Sequence, residues 1–274
     1  MLGAARAAFG PAPTIHILHA LFALFPYRGE LESLAILVGM ATLTLAMVRR
    51  AARGAILPPI RALPALEALD DAVGEAAELG RPVHVTTGVE DARSPQTIAA
   101  FPVLRHTAER SALYGTQIVC TSSDPTVQAV NEEVVRQGFA RAGHPEGFQP
   151  DDVRYLSDSQ FAYAGAITGI FRRERPAVNV MVGAFNAEAM VLIEAGAEAG
   201  ARQIGATSNI YQIPFIVAGC DHALIGEEMF AGAALLTGDR LQHASLVAQD
   251  GAKVALMAVV AVGSILAALG GLPR

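Results

Sequence analysis

Six times along residues 83–236 a short apolar run leads into a polar turn, and most of these turns open a stretch with helical spacing. That alternation admits few folds. Strands separated by helices pair in parallel, and helices must then cover both faces of the sheet. The runs are continuous rather than alternating, as expected of strands buried on both sides. The clearest unit is VNVMVGAFNAEAMVLIEAGAEAG at 178–200, which places a strand at 178–182, a glycine turn, and a helix at 187–199. The others place strands at 83–87, 117–121, 153–156, 202–207 and 215–218, with helices at 97–114, 125–142, 160–173 and 223–236. The expected fold class is α/β: a Rossmann-like parallel sheet of about six strands with helices on both faces.

The chain is more apolar than such a domain needs, with 52% hydrophobic residues and a mean hydropathy of +0.38. The excess lies at the two ends. After Glu32, residues 33–48 carry no charge until Arg49, Arg50 and Arg53, and residues 254–272 are uncharged between Lys253 and Arg274. Each run is long enough to cross a bilayer as a transmembrane helix. The arginines after the first run put that end in the cytoplasm. Both spans then leave from one side, and the expected localisation is the inner (cytoplasmic) membrane with the α/β domain on the cytoplasmic side. An apolar segment at 14–25, carrying His16 and His19, is short for a span and reads as an interfacial or re-entrant helix, with a span starting further upstream as the alternative. The chain thus divides into an N-terminal membrane region (1–54, transmembrane helix 31–48), a linker helix region (55–80), the α/β domain (81–250) and a C-terminal transmembrane helix (251–274).

A net charge of −6 without a basic face excludes general nucleic-acid binding. Cys120 and Cys220 each end an apolar run without CxxC spacing and read as inert core thiols. The seven histidines are scattered, and none has helical ligand spacing with a carboxylate, so no metal site is expected. No G-x-S-x-G elbow, HExxH, Walker A or G-x-G-x-x-G sequence occurs, and no cofactor is specified.

In an open parallel sheet the ligand crevice lies beyond the carboxyl ends of the strands. The residues delivered there are Thr86 and Thr87; Ser122 and Ser123; Asp158; Asn186 and Glu188; and Thr207 and Ser208. Helix N-termini demand such residues for capping in any case, and the same free N–H groups can hold an anion. Glu188 stands apart from the exposed stripe of Glu194 and Glu198, about 120° round its helix at 100° per residue. It reads either as a first-turn acid favoured by the helix dipole or as a carboxylate aimed at the crevice. Asp221 and His222 form the one Asp-His pair at an expected strand end, suited to base chemistry although adjacent helical residues do not face each other.

The helix at 160–173 is apolar almost all round, with Gly165 and Gly169 four apart, and calls for burial against the sheet and a second surface such as a partner subunit. The runs GRPVHVTTG, DVRYLSDSQFAYAGAITGI, VGAFNAEAMVLIEAG and YQIPFIVAGCDHALIGEEMFAGAALL resemble a family of membrane-anchored prokaryotic proteins classed only as a domain of unknown function. The resemblance spans residues 80–261, implies a membrane-associated α/β domain, and transfers no catalytic residue. The expected function is a membrane-anchored module that binds a small polar ligand, builds a homo-oligomeric membrane assembly, or both. The alternatives are a membrane-bound enzyme acting on a small hydroxylated or anionic substrate through Glu188 with Asp221 or His222, and a subunit of a larger membrane complex, which would expose a large apolar patch.

Overall fold

The computed structural model describes residues 28–54 and 56–268, which fall into two compact units: Pro59–Asp239, and the flanking residues up to Pro58 and from Arg240 onward. In the first unit β1 (Val83–Thr86), β2 (Ile118–Ser122), β3 (Val153–Tyr155), β4 (Val178–Val182), β5 (Arg202–Thr207) and β6 (His222–Ile225) form one sheet in the order β3-β2-β1-β4-β5-β6. Every pairing is parallel.

Helices follow from local chemistry. In α3 (Pro95–Tyr114) Pro95 opens the first turn and the Ser94 hydroxyl accepts from the Gln96 N–H; in α4 (Pro125–Arg141) Pro125 does the same, and Asp124 Oδ1 accepts from the Val127 N–H at 2.9 Å. With α2 (Pro64–Leu79) and α8 (Glu227–Thr237) these helices cover one face through Leu69, Leu104, Val135 and Met229. The expected linker helix is therefore built into the core of the α/β unit. The other face is covered by α5 (Gln160–Glu174), α6 (Glu188–Ala199) and α7 (Ile213–Gly219), which pack Tyr163, Phe171, Leu192 and Ile216 together.

One element differs from the sequence expectation. Residues 215–218 lie in α7, and the sixth strand is His222–Ile225, where a helix start was expected. Pro214 in the first turn of α7 leaves no N–H to be satisfied there, which suits a helix and not a central strand. The run His222–Ile225 pairs instead with β5, Ile204 opposite His222 and Thr207 opposite Ile225. Short apolar runs do not distinguish helix from strand by periodicity.

The second unit holds α1 (Arg28–Ala52) and α9 (Arg240–Ala268), which pack on each other with Gly251 facing Leu43. Among the described residues one helix is long and apolar enough to cross a membrane, Arg240–Val262, with a mean hydropathy of 1.5. Its Val254, Leu256, Met257 and Val260 side chains are exposed. The expected helix at 14–25 and residues 269–274 lie outside the described residues.

At the amino edge of the sheet the Arg81 guanidinium gathers three carbonyls: Nε donates to Arg175 O at 2.7 Å, and Nη2 to Pro176 O at 3.0 Å and Ala199 O at 2.7 Å. It thereby fixes the two loops that feed β4 and β5. Hydrogen bonds from a charged donor contribute about 1.5–3 kcal/mol, so Arg81→Ala should lower the unfolding free energy by about 2 kcal/mol in urea titrations followed by circular dichroism. Arg81→Lys should recover less than half, because an ammonium cannot span the three acceptors as a planar fork does.

Candidate functional site

Strand order reverses between β1 and β4, so the loops leaving these two strands bound the crevice where ligands of open α/β sheets bind. The loops run against each other. The Val89 N–H donates to Ala184 O at 2.9 Å, and Gly183 lies so close to the β1 loop that an added Cβ would meet Thr87 O at 2.4 Å. With φ of +142°, Gly183 also holds a backbone conformation that side chains resist. The apposed loops then turn Phe185 into the core and start α6.

Glu188, in the first turn of α6, is 2% exposed. Its Oε1 accepts from the Asn186 N–H at 2.6 Å and its Oε2 from Gln160 Nε2 at 2.5 Å. The carboxylate thus ties the start of α5 to the start of α6, and it contributes to raising the Tyr163 pKa. Each oxygen retains a lone pair. Asn186 itself is exposed at the mouth, and its backbone N–H is held by Glu188.

Behind the crevice lies a row of buried polar side chains that spacing along the sequence does not reveal. His84, Asn179 and Gln203 are direct register partners on β1, β4 and β5, and all are buried. The partners fix every hydrogen. Gln203 Nε2 donates to Ile193 O at 3.0 Å and Gly219 O at 3.2 Å, so its Oε1 accepts from Asn179 Nδ2 at 3.1 Å. Asn179 Oδ1 therefore faces His84 Nδ1 at 3.0 Å and can only accept, which assigns the proton to Nδ1. His84 Nε2 then accepts from the Thr121 hydroxyl at 3.0 Å. Thr121 accepts in turn from the Tyr163 hydroxyl at 3.3 Å, which accepts from Thr86 at 2.6 Å, and Thr86 accepts from the Gly88 N–H at 3.4 Å. The chain of donors runs in one direction from the crevice loop to the carbonyls of α6 and α7. Gly196 leaves the room: an added Cβ there would lie 2.5 Å from Gln203 Oε1.

Burial lowers the His84 pKa from 6.5 to about 4, against the Asn179 hydrogen bond, which raises it. Burial also pushes the Tyr163 hydroxyl up to about 12, so both groups are neutral near pH 7. Cys120 and Cys220 are likewise raised to about 12 by burial, which keeps both thiols protonated and poorly nucleophilic.

Most of the expected rim residues are occupied within the fold. Thr86 belongs to the polar row; Thr87 accepts from Asn131 Nδ2 at 3.0 Å; the buried Ser122 bonds Asp124 O at 3.0 Å. Ser123 is buried, and Asp158 is exposed at the turn before α5. Thr207 Oγ1 and the Ser208 N–H both donate to Gln96 Oε1, at 3.2 and 2.9 Å. Of the expected residues, Asn186 and Glu188 follow β4 and stand beside the switch point, whereas Asp158 lies further out, beyond β3.

Asp221 and His222 stand elsewhere. Because His222 opens β6, the pair lies at the amino edge of the sheet, opposite Glu188. Asp221 Oδ2 accepts from the Gln203 N–H at 2.7 Å, and His222 Nε2 lies 3.4 Å from Arg202 Nη2, whose Nη1 is 3.5 Å from Glu75. These residues line a separate open groove with Ala177 and Gly200. Among the described residues no group of three or more His, Cys, Asp and Glu side chains is placed to hold a metal ion.

A parallel six-stranded sheet with this order, reversing at a glycine-lined switch point, is an α/β domain of the Rossmann type. The chain belongs to the family described as "Domain of unknown function (DUF6754)", which matches residues 24–272. No curated protein and no solved structure matches it.

The neutral His84 makes folding depend on pH. Between its folded pKa of about 4 and the unfolded value of 6.5, the unfolded chain binds the extra proton, so stability present above pH 6.5 is lost as pH falls toward 4. The loss approaches about 3 kcal/mol at 1.36 kcal/mol per pKa unit. The difference between wild type and His84→Gln in urea titrations across this range isolates that contribution, and it should shrink on acidification.

Proposed function

We propose that the protein is a membrane-anchored α/β module that binds a small, neutral, hydroxyl-bearing ligand at the β1/β4 switch point. The observation that carries this reading is Glu188: a buried carboxylate at the crevice, with one donor already on each oxygen and a free lone pair on each. Such a group accepts from ligand hydroxyls and repels anions. Asn186, exposed beside it, supplies an amide that can both donate and accept. In dinucleotide-binding sheets of this order an acid on another strand end likewise accepts from a ribose hydroxyl.

The anchors in this reading are α1 and α9. The apolar stretch Arg240–Val262 supports the second, and the uncharged residues 33–48 support the first. Arg49, Arg50 and Arg53 favour a cytoplasmic α/β unit through the positive-inside rule. An enzymatic reading through Glu188 with Asp221 or His222 has no support, since acid and base would stand at opposite edges of one sheet.

The test is a thermal-shift titration of the detergent-purified full chain with ribose, nucleosides and neutral sugars, beside their phosphorylated forms. A neutral hydroxylated compound should raise the melting temperature in wild type. Asn186→Ala should weaken that compound about tenfold, the equivalent of about 1.4 kcal/mol, while leaving the unliganded melting temperature unchanged, since it alters an exposed side chain. A shift produced only by the phosphorylated forms, or retained in full by Asn186→Ala, contradicts the assignment.

A further inference from the structure

The layer formed by α5, α6 and α7 is apolar on its outside as well as its inside. Phe161, Tyr211 and Ile210 are 83%, 76% and 70% exposed, and Met190, Phe215 and Val217 stand out beside them. Their elements are stitched together. Gln160 bonds Glu188 across the starts of α5 and α6; Asn209 Nδ2 donates to Phe185 O at 3.0 Å, holding the β5–α7 loop against the start of α6; and Ile193 packs against Gly219. These six side chains present on the order of 600 Å² of apolar surface, taking ~150–250 Å² for a large side chain. That is the upper limit of what monomers expose and approaches the ~800 Å² per partner of a stable interface.

The charge pattern separates the occupants. Between Arg175 and Arg240 the sole basic residue is Arg202, and residues 203–220 carry no charge of either sign. A face that lies on a lipid surface needs an excess of Lys and Arg around its apolar part to meet anionic headgroups. Here acids match the bases on the neighbouring rim: Arg172 and Arg173 end α5, Glu194 and Glu198 lie on α6, and Arg172 and Glu198 are 3.9 Å apart. A rim of both signs can pair with its own copy about a twofold axis, the commonest symmetry of oligomers.

We propose that the α6–α7 face, extended by Phe161, is the surface through which a second copy of this chain docks in an isologous dimer. The inference stands apart from the ligand reading, because none of these six residues was assigned to the crevice.

The experiment uses the full chain in detergent in a Cys220→Ala background, leaving the buried Cys120, with single cysteines at Tyr211, Val217 or, on the opposite layer, the exposed Gln137. A bis-maleimide should join Tyr211→Cys and Val217→Cys chains into a species of twice the 28.6 kDa chain mass and leave Gln137→Cys as single chains. Adding Val217→Arg to Tyr211→Cys should cut the yield about tenfold through the charge it buries at the contact, with an unchanged melting temperature showing that the fold survives. Equal yields from both layers, or no dimer from either face position, overturn the proposal. So does protection of the two cysteines by lipid vesicles in place of cross-linking, which assigns the face to the bilayer.

Discussion

The constraint on which the sheet depends is the rung formed by His84, Asn179 and Gln203. Three polar side chains in the middle of a two-sided core are tolerated only if each finds its partners. They do so in one register, because His84 stands opposite Asn179 and Asn179 opposite Gln203. A slip of one residue would turn all three toward the α3 face and leave their hydrogen-bonding groups among Leu104, Ile118 and Val135. The rung therefore specifies register where continuous apolar strands would leave it loosely defined. It also connects distant parts: the row begins at the Gly88 N–H in the crevice loop and ends on the carbonyls of Ile193 and Gly219. Hydrogen bonds aligned in one direction polarise and strengthen one another. A neutral His84 is part of this arrangement, since a second ring proton would face the hydrogen that Thr121 already donates.

Much of the fold was legible in the sequence because the first five strands end in turns with explicit chemistry. Asp124 before Pro125 announces a helix start through capping, and the continuous apolar runs announce a buried parallel sheet; the helix expected from 97 starts two residues earlier, at Pro95, behind the Ser94 cap. The sixth strand was misplaced because residues 215–218 and His222–Ile225 are both short and apolar, and the difference between them lies in Pro214 and in the availability of β5 as a neighbour. That shift moved Asp221 and His222 from one edge of the sheet to the other.

The candidate site was legible in part. Helical geometry separated Glu188 from the exposed Glu194 and Glu198, and it is buried between α5 and α6. The polar row was missed because its members are far apart in sequence and meet through strand pairing alone. A signal existed: β1, β4 and β5 each have a large polar residue in second place, His84, Asn179 and Gln203, at positions that a two-sided core should exclude. Strand order, which brings those three positions side by side, is not encoded in spacing along the chain. Most of the hydroxyl rim, in turn, serves caps and loop contacts.

The two edges of the sheet hence carry different chemistry. The amino edge is closed by Arg81 and holds the Arg202, His222 and Glu75 groove; the carboxyl edge holds Glu188 and an exposed Asn186. Ligand binding at the carboxyl edge is the proposal on which this functional reading rests. Placing a photo-crosslinking amino acid at the exposed Ala187, which leaves Asn186 and Glu188 in place, or at Glu75 in the full chain, irradiating cells and identifying small-molecule adducts by mass spectrometry separates the two edges. A discrete hydroxylated adduct at position 187 and none at 75 is expected; adducts confined to position 75 would overturn the assignment.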